Sequence, residues 1–303
     1  MEAHLAKRDF LHADAGEADR EPVQDTYRGP RHDGEYKRLR AQHDMIKNVM
    51  NGKLVLAPVD LSKPDLAVLD SATADGYWLQ DLATITEPTA TLVGADIAPQ
   101  HFLRQSELSA NIALITHNIF DPWPMQYHNK FDLVHQRFVL PVCSEEKSVD
   151  VIQKLFACVK PGGWIMLHDA DFNTIEEGPS HGAMERLRDV LRRSWNMIGF
   201  TLSPGPKIFN WFKELDIEDV HEEILHIRVG AAATNRTQGE AAIVVLLAAL
   251  EGIQMNMGSM PGYFFPEAEF SRLKQDLEDE LESVGNSYYT HVVWGRKSAS
   301  LDF

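Results

Sequence analysis

The stretch LDSATADGYW, Leu69 to Trp78, decides the reading of this chain. An acidic residue closes an apolar run, small residues follow, then come one glycine and two bulky aromatics. A strand that turns into a helix around a nucleotide-like cofactor has this form, because small residues let the backbone approach a ligand closely. Such a turn usually carries two or three glycines. Here Gly76 stands alone.

Outward from the turn, the texture alternates. DLAVLD (65–70) reads as a strand, YWLQDLATI (77–85) as a helix and ATLVGADI (90–97) as a second strand. NIALITHNI (111–119) and KFDLVHQRFVL (130–140) are the third and fourth strands. SVDVIQKLFACV (148–159) is a helix, KPGG (160–163) a turn, and WIMLHDADF (164–172) the fifth strand. Short apolar strands that alternate with helices give a parallel sheet covered on both faces. Upstream, Tyr36, Leu39, His43, Ile46 and Met50 recur at spacings of three and four, an amphipathic helix ended by Asn51-Gly52. Downstream, MERLRDVLRRSWNMI (184–198) is a helix and IEDVHEEILHIRVG (217–230) a strand. A mostly helical stretch over 231–286 precedes the β-rich YYTHVVWGRK (288–297). An insertion between two terminal strands could cap the carboxyl edge of the sheet.

Composition narrows the classes. With 29 Lys and Arg against 45 Asp and Glu, the formal charge of the 303 residues is −16. A broad nucleic-acid or anionic-membrane surface needs a basic face, so neither partner is expected. Cys143 and Cys158 form neither a metal motif nor a disulfide framework. The longest apolar run, Ala241 to Leu250, is too short to cross a bilayer, and the charged N-terminus is no secretory signal. The expectation is a soluble, cytoplasmic protein with a small-molecule partner, and homo-oligomerisation stays open.

In an open α/β sheet, ligands bind beyond the carboxyl ends of the strands. Four of those ends carry chemistry: Asp70; Asp96, twenty-six residues later; His117-Asn118-Ile119; and His135-Gln136-Arg137. An acid at the end of the second strand can accept two ribose hydroxyls. An amide beside an aliphatic residue can hold the edge and face of an adenine.

These stretches resemble a class I S-adenosylmethionine-dependent methyltransferase, more narrowly the LaeA-like type of fungal secondary metabolism. The resemblance runs from about Glu35 to Lys297 through YKRLRAQHDMIKNVMNGKL, VLDSATADGYWLQDLA, LVGADIAPQHF, FDLVHQRFVL and VKPGGWIMLHDADF. It implies an α/β fold with a seven-stranded, mostly parallel sheet, the last strand antiparallel, and helices on both faces. It also implies a helical cap from the N-terminal helix and the C-terminal insertion. The expected division is a mobile segment (1–25), a helical lid (26–60), a cofactor-binding core (61–230), a cap insertion (231–286) and the final strand with its tail (287–303).

By that resemblance, Asp70 opens the cofactor motif and Ala72, Ala74 and Gly76 carry the turn past the methionine portion. Asp96 holds the ribose, with Ile97 against the adenine. Asn118 and Ile119 meet the adenine, and Gln136 lies near the methionine end. Alanine stands at two places where the family has glycine; it costs little there only if those residues keep ordinary dihedrals.

Methyl transfer needs alignment more than a strong catalytic group. His43, on the lid helix, is the candidate base. Tyr27, Tyr36, Arg137 and His168 are candidate substrate contacts. His168, Asp169 and Asp171 could hold a divalent metal by type and spacing, but no metal is expected. The leading function is methylation of an O, N or S atom of a small secondary metabolite. The alternatives are a non-methylating, pericyclase-like catalyst that binds the same cofactor, and a non-catalytic regulator that binds partner proteins.

Overall fold

The computed structural model describes residues 33–258 and 260–299. Tyr27 and the segment 1–25 lie outside them. Seven strands form one sheet: β1 (Ala67–Ser71), β2 (Thr91–Asp96), β3 (Ile112–Thr116), β4 (Phe131–Arg137), β5 (Val159–Asp171), β6 (Glu218–Val229) and β7 (Asn286–Arg296). Their order is β3-β2-β1-β4-β5-β7-β6. All neighbouring pairs are parallel except those made by β7, which runs antiparallel to β5 and β6. The expected sheet is therefore present, with β6 at one edge.

Both faces are buried, and the strands show why. Val68, Leu92, Leu133 and Met166 face one apolar cluster, while their neighbours Leu69, Val93, Val134, Ile165 and Leu167 face another. Successive side chains point to opposite faces, so an unbroken apolar strand supplies two cores. Each fully buried Val or Leu contributes roughly 1.5–3 kcal/mol.

Among the described residues, seven helices flank the sheet: α1 (Asp33–Val49), α2 (Tyr77–Leu82), α3 (Glu145–Cys158), α4 (Gly182–Met197), α5 (Gly205–Glu214), α6 (Arg236–Met257) and α7 (Glu267–Ser283). α1 ends where Asn51 and Gly52 take φ values of 55° and 81°, and Gly52 N–H closes on Lys47 O at 2.8 Å. α3 starts at Ser144, whose side chain accepts the Lys147 N–H, and carries Glu145 and Glu146 in its first turn. Both features favour a helix N-terminus.

Three local expectations change. KPGG lies inside β5, where the β4 register jumps from Phe131↔Val159 to Leu133↔Trp164. The extra residues bulge at Gly162 (φ 78°), and Gly162 N–H bonds Lys297 O at 2.9 Å. The sheet thus captures the turn as part of a strand. The helix α5 was not among the expected elements; it starts at Gly205-Pro206, and proline in a first helical turn lacks no bond that a helix would have made. Finally, the apolar run 241–250 belongs to a much longer helix. Its span Arg236–Met255 is long and apolar enough to cross a membrane by length and composition, but half of it is buried in this fold. There α6 packs against α1 and α7.

Candidate active site

The chain leaves β1, visits β2 and β3, and returns to β4 beside β1, so the strand order reverses there. A crevice opens at such a point. It holds a cavity of about 370 Å³. Strand ends supply Asp70, Asp96, Asn118, Arg137 and Asp169; the turn after β1 supplies Ala72 to Asp75. α1 adds Glu35, Tyr36, Arg38 and His43, and α6 adds Val245, Leu246 and Ala249. The two capping helices thus meet over the strand ends.

Parallel register sets Asp70 beside His135. The His135 Nδ1 lies 2.7 Å from Asp70 Oδ1, and Thr73 Oγ1 donates to Asp70 Oδ2 at 2.6 Å. Burial holds the His135 pKa below its ordinary value. The ring is neutral, donates to the carboxylate through Nδ1, and stacks on Trp78 with centroids 3.9 Å apart. Asp70 therefore ties the start of the turn to β4.

The turn itself answers the question its alanines raise. Ala72, Ala74 and Gly76 have φ values of 53°, 57° and 91°. Every second residue is left-handed, and two of the three are alanines, so the dihedrals are not ordinary. A left-handed residue with a Cβ costs roughly 1–2 kcal/mol. The surroundings hold the shape: Thr73 N–H bonds Ala95 O at 2.9 Å, and Ala74 N–H bonds Asp96 Oδ2 at 3.0 Å. Gly94 completes the cradle, since a Cβ there would lie 2.7 Å from Leu114 and 2.9 Å from Thr73. Gly76 precedes α2 as its cap and is not part of the cavity wall.

Asp96 accepts Ala74 N–H at Oδ2 and Ala98 N–H at Oδ1. A carboxylate at this strand end offers acceptor oxygens of the kind that take ribose hydroxyls. Asn118 Oδ1 accepts Phe120 N–H at 2.9 Å, while its Nδ2 is buried without a partner. Asn118 lines the cavity, and the donor it leaves open there is Nδ2, a group suited to an adenine ring nitrogen. Ile97 and Ile119 line the same end. An orphaned buried donor, a carboxylate and an open small-residue turn fit S-adenosylmethionine.

The other candidates separate. His43 Nδ1 accepts from Arg137 Nη2 at 3.1 Å, and its Nε2 donates to Asp81 Oδ2 at 2.9 Å. Burial first and Arg137 second push its pKa down, so it is neutral with both nitrogens engaged. No lone pair is left for a substrate proton, which corrects its expected role as a base. His43 fastens the lid instead, with Lys47 on Asp81 and Arg40 on Asp75. Arg137 lines the cavity; burial brings its pKa to about 10, and among the described residues no carboxylate pairs with it. Tyr36 lines the cavity and stacks on His101 at 4.5 Å.

Gln136 and His168 are not in the cavity wall. Gln136 Nε2 donates to Ser71 Oγ at 3.1 Å, bracing β1 against β4. His168 is turned to Thr290 Oγ1 at 2.8 Å, with its pKa held well down by burial. Its neighbour Asp169 does line the cavity. Among the described residues, no group of three His, Cys, Asp or Glu could hold a metal ion. Glu35, Arg38 and Tyr288 line the cavity as well; in the sequence, only the Glu35–Arg38 spacing of three on a helix hints at this.

A doubly covered sheet of this order, with an acid at the end of β2 and a small-residue turn at its switch point, defines a Rossmann-like S-adenosylmethionine-dependent methyltransferase. Residues 62–215 match the family model described as a methyltransferase domain. The chain belongs to that family. It is 41% identical over 278 residues to the N-methyltransferase tcpN of Claviceps purpurea (strain 20.1), covering 91% of this chain and 99% of the relative. It is 34% identical over 269 residues to the N-methyltransferase sirN of Leptosphaeria maculans, covering 88% and 93%. A solved complex between the Haloferax volcanii Trm112 methyltransferase activator and a methyltransferase is similar in fold, with a TM-score of 0.51 and 12% identity, covering 89% of this chain and 99% of that one.

Proposed function

We propose that this enzyme methylates a nitrogen atom of a small, largely apolar secondary metabolite in the cytoplasm. Residues 26–60 act as its lid, 61–230 as the cofactor-binding core, 231–286 as the substrate-enclosing cap and 287–303 as the returning strand and tail. Neither nucleic acid nor membrane is a partner in this reading. The nitrogen acceptor is supported by relatives named N-methyltransferases that match 91% and 88% of this chain. The observation that carries the small-molecule reading is a cavity that joins the cofactor cradle to an apolar wall from α4 and α6, including Leu187, Leu191, Val245 and Leu246.

S-adenosylmethionine supplies a sulfonium methyl group as the electrophile. The chain's own residues position and enclose. Asp96 and Asn118 fix the nucleoside end, and the turn 72–76 fixes the approach to the methionine end. Arg137 offers a guanidinium to an anionic group on the cofactor or substrate. α1 and α6 exclude water, which matters because a methyl acceptor must compete with it. The test is incubation of the protein with methyl-¹³C S-adenosylmethionine and an extract of fungal metabolites. A labelled N-methyl carbon in the product supports the reading. Label on oxygen or sulfur changes the acceptor, and product without label sinks methylation of that substrate pool.

A further inference from the structure

Asp169 is a buried carboxyl to which the cofactor-binding reading gives no part. It lies near the carboxyl end of β5 and is only 2% exposed. Its Oδ2 accepts Leu140 N–H at 3.3 Å and the Val139 backbone N–H also points at the carboxylate, whereas Oδ1 is shielded and makes no hydrogen bond of normal geometry. The residue lines the cavity together with Ala170, Phe172, Leu191 and Leu202. Native structures seldom leave such an oxygen unsatisfied without a purpose.

The charged and titratable groups around it are otherwise committed. Cys143, in the connection after β4, is held as a thiol by burial. His168, the preceding residue, bonds Thr290, and Asp171 caps the next turn through Asn173 N–H. His291, opposite Asp169 in the β5–β7 register, bonds Glu222 of β6. Arg137, on β4, bonds His43 of α1. Among the described residues, no cation pairs with Asp169.

We propose that Asp169 Oδ1 receives the N–H of the methyl acceptor, so that the substrates are small, largely apolar molecules whose acceptor nitrogen still carries a hydrogen. This rests on the N-methylation reading above. In the step, the nitrogen lone pair forms the N–C bond, and the C–S bond breaks with its electron pair staying on sulfur. The N–H electron pair stays on nitrogen as its proton passes to Oδ1. Charge balances: a sulfonium cation and a carboxylate become a neutral thioether and a neutral carboxylic acid. Burial raises the Asp169 pKa to about 8, so the accepting form gains population as pH rises through that value.

The test uses the full-length protein loaded with S-adenosylhomocysteine and two probes of similar shape. Indole carries an N–H; 1-methylindole does not. Titrations run at about pH 6.5 and about pH 9, on either side of the carboxyl's pKa of about 8. At the higher pH, wild type should bind indole about ten- to a hundredfold more tightly than 1-methylindole. The gap should narrow at the lower pH and close in Asp169→Leu, with S-adenosylhomocysteine affinity unchanged. Equal affinities in wild type, no binding of indole, or a gap that survives in Asp169→Leu overturns the proposal. The conservative Asp169→Asn guards against a folding defect: with the acceptor found by label transfer, its kcat should fall about 10²–10⁴-fold, and full turnover also overturns the proposal. The N-methylation reading fails separately, through label found on oxygen or sulfur, and the indole comparison does not depend on that outcome.

Discussion

The Arg137 guanidinium donates to His43 Nδ1 across 3.1 Å, joining the end of β4 to the lid helix α1. Because His43 also donates to Asp81, the imidazole is a bridge between core and lid rather than a base. Replacing it with glutamine preserves one donor and one acceptor. His43→Gln should turn over within a fewfold of wild type. His43→Ala should lose roughly 1–3 kcal/mol of stability, since it strands buried hydrogen-bonding partners. Thermal melting and single-turnover rates on both variants check this. A stable His43→Gln without turnover would restore the proton-transfer role.

The alternating left-handed turn at Ala72, Ala74 and Gly76 makes a second prediction. Ala74→Gly relieves roughly 1–2 kcal/mol of backbone strain, and the gain is offset by about 0.4–1 kcal/mol of unfolded-chain entropy. The melting temperature should hold or rise slightly. Ala74→Val, with a β-branched side chain at positive φ, should lower it clearly. Calorimetry on both variants is the measurement, and a tolerated valine would show that the loop does not keep this shape in solution.

How much of this was legible varies with the kind of information. The sheet was legible because strands buried on both faces are written as short apolar runs, as in AVL at 67–69 and LVGA at 92–95. The acids at strand ends were legible for the same reason: each run stops at its charge. What could not be read is where a side chain points once neighbours compete for it. His168 and Asp169 are adjacent, and only the pairing of β5 with β7 sends one to Thr290 and the other to the cavity. His43 carried the right periodicity to face inward, but its partners Asp81 and Arg137 are 38 and 94 residues away. The sign of φ at Ala72 and Ala74 was equally hidden, because alanine does not announce a left-handed conformation as glycine does.

Asp96 and Asn118 should separate affinity from fold. Asp96→Ala removes the acceptor for Ala74 and Ala98 N–H together with the proposed ribose acceptor. Affinity for S-adenosylmethionine should fall about ten- to a hundredfold. Asn118→Asp removes the buried, unpartnered Nδ2 donor but keeps an acceptor for Phe120 N–H. If Nδ2 donates to an adenine ring nitrogen, affinity should drop severalfold in Asn118→Asp as well. Isothermal titration decides; tighter binding by Asn118→Asp would mean that the adenine amino group, not a ring nitrogen, faces this residue.

Stability should depend on pH in two opposed ways. Burial depresses the pKa of His43, His135 and His168 in the folded chain. The unfolded chain then binds more protons below about pH 6.5, so this contribution is present above that value and is lost as pH falls. Asp169 acts in reverse. Burial raises its pKa to about 8, so the folded chain keeps a proton that the unfolded chain has released above about pH 4. Its contribution declines as pH rises from there through 8. Wild type should therefore melt highest near pH 6–7, about where the histidines are neutral and Asp169 is still protonated. Asp169→Asn cannot ionise and should lose the alkaline decline. The melting temperature of Asp169→Asn minus that of wild type should grow steadily from about pH 5 to about pH 8 and then level out more slowly. A difference that stays constant across that range would mean that Asp169 does not titrate there, and would remove the pH dependence expected of substrate binding at the same carboxyl.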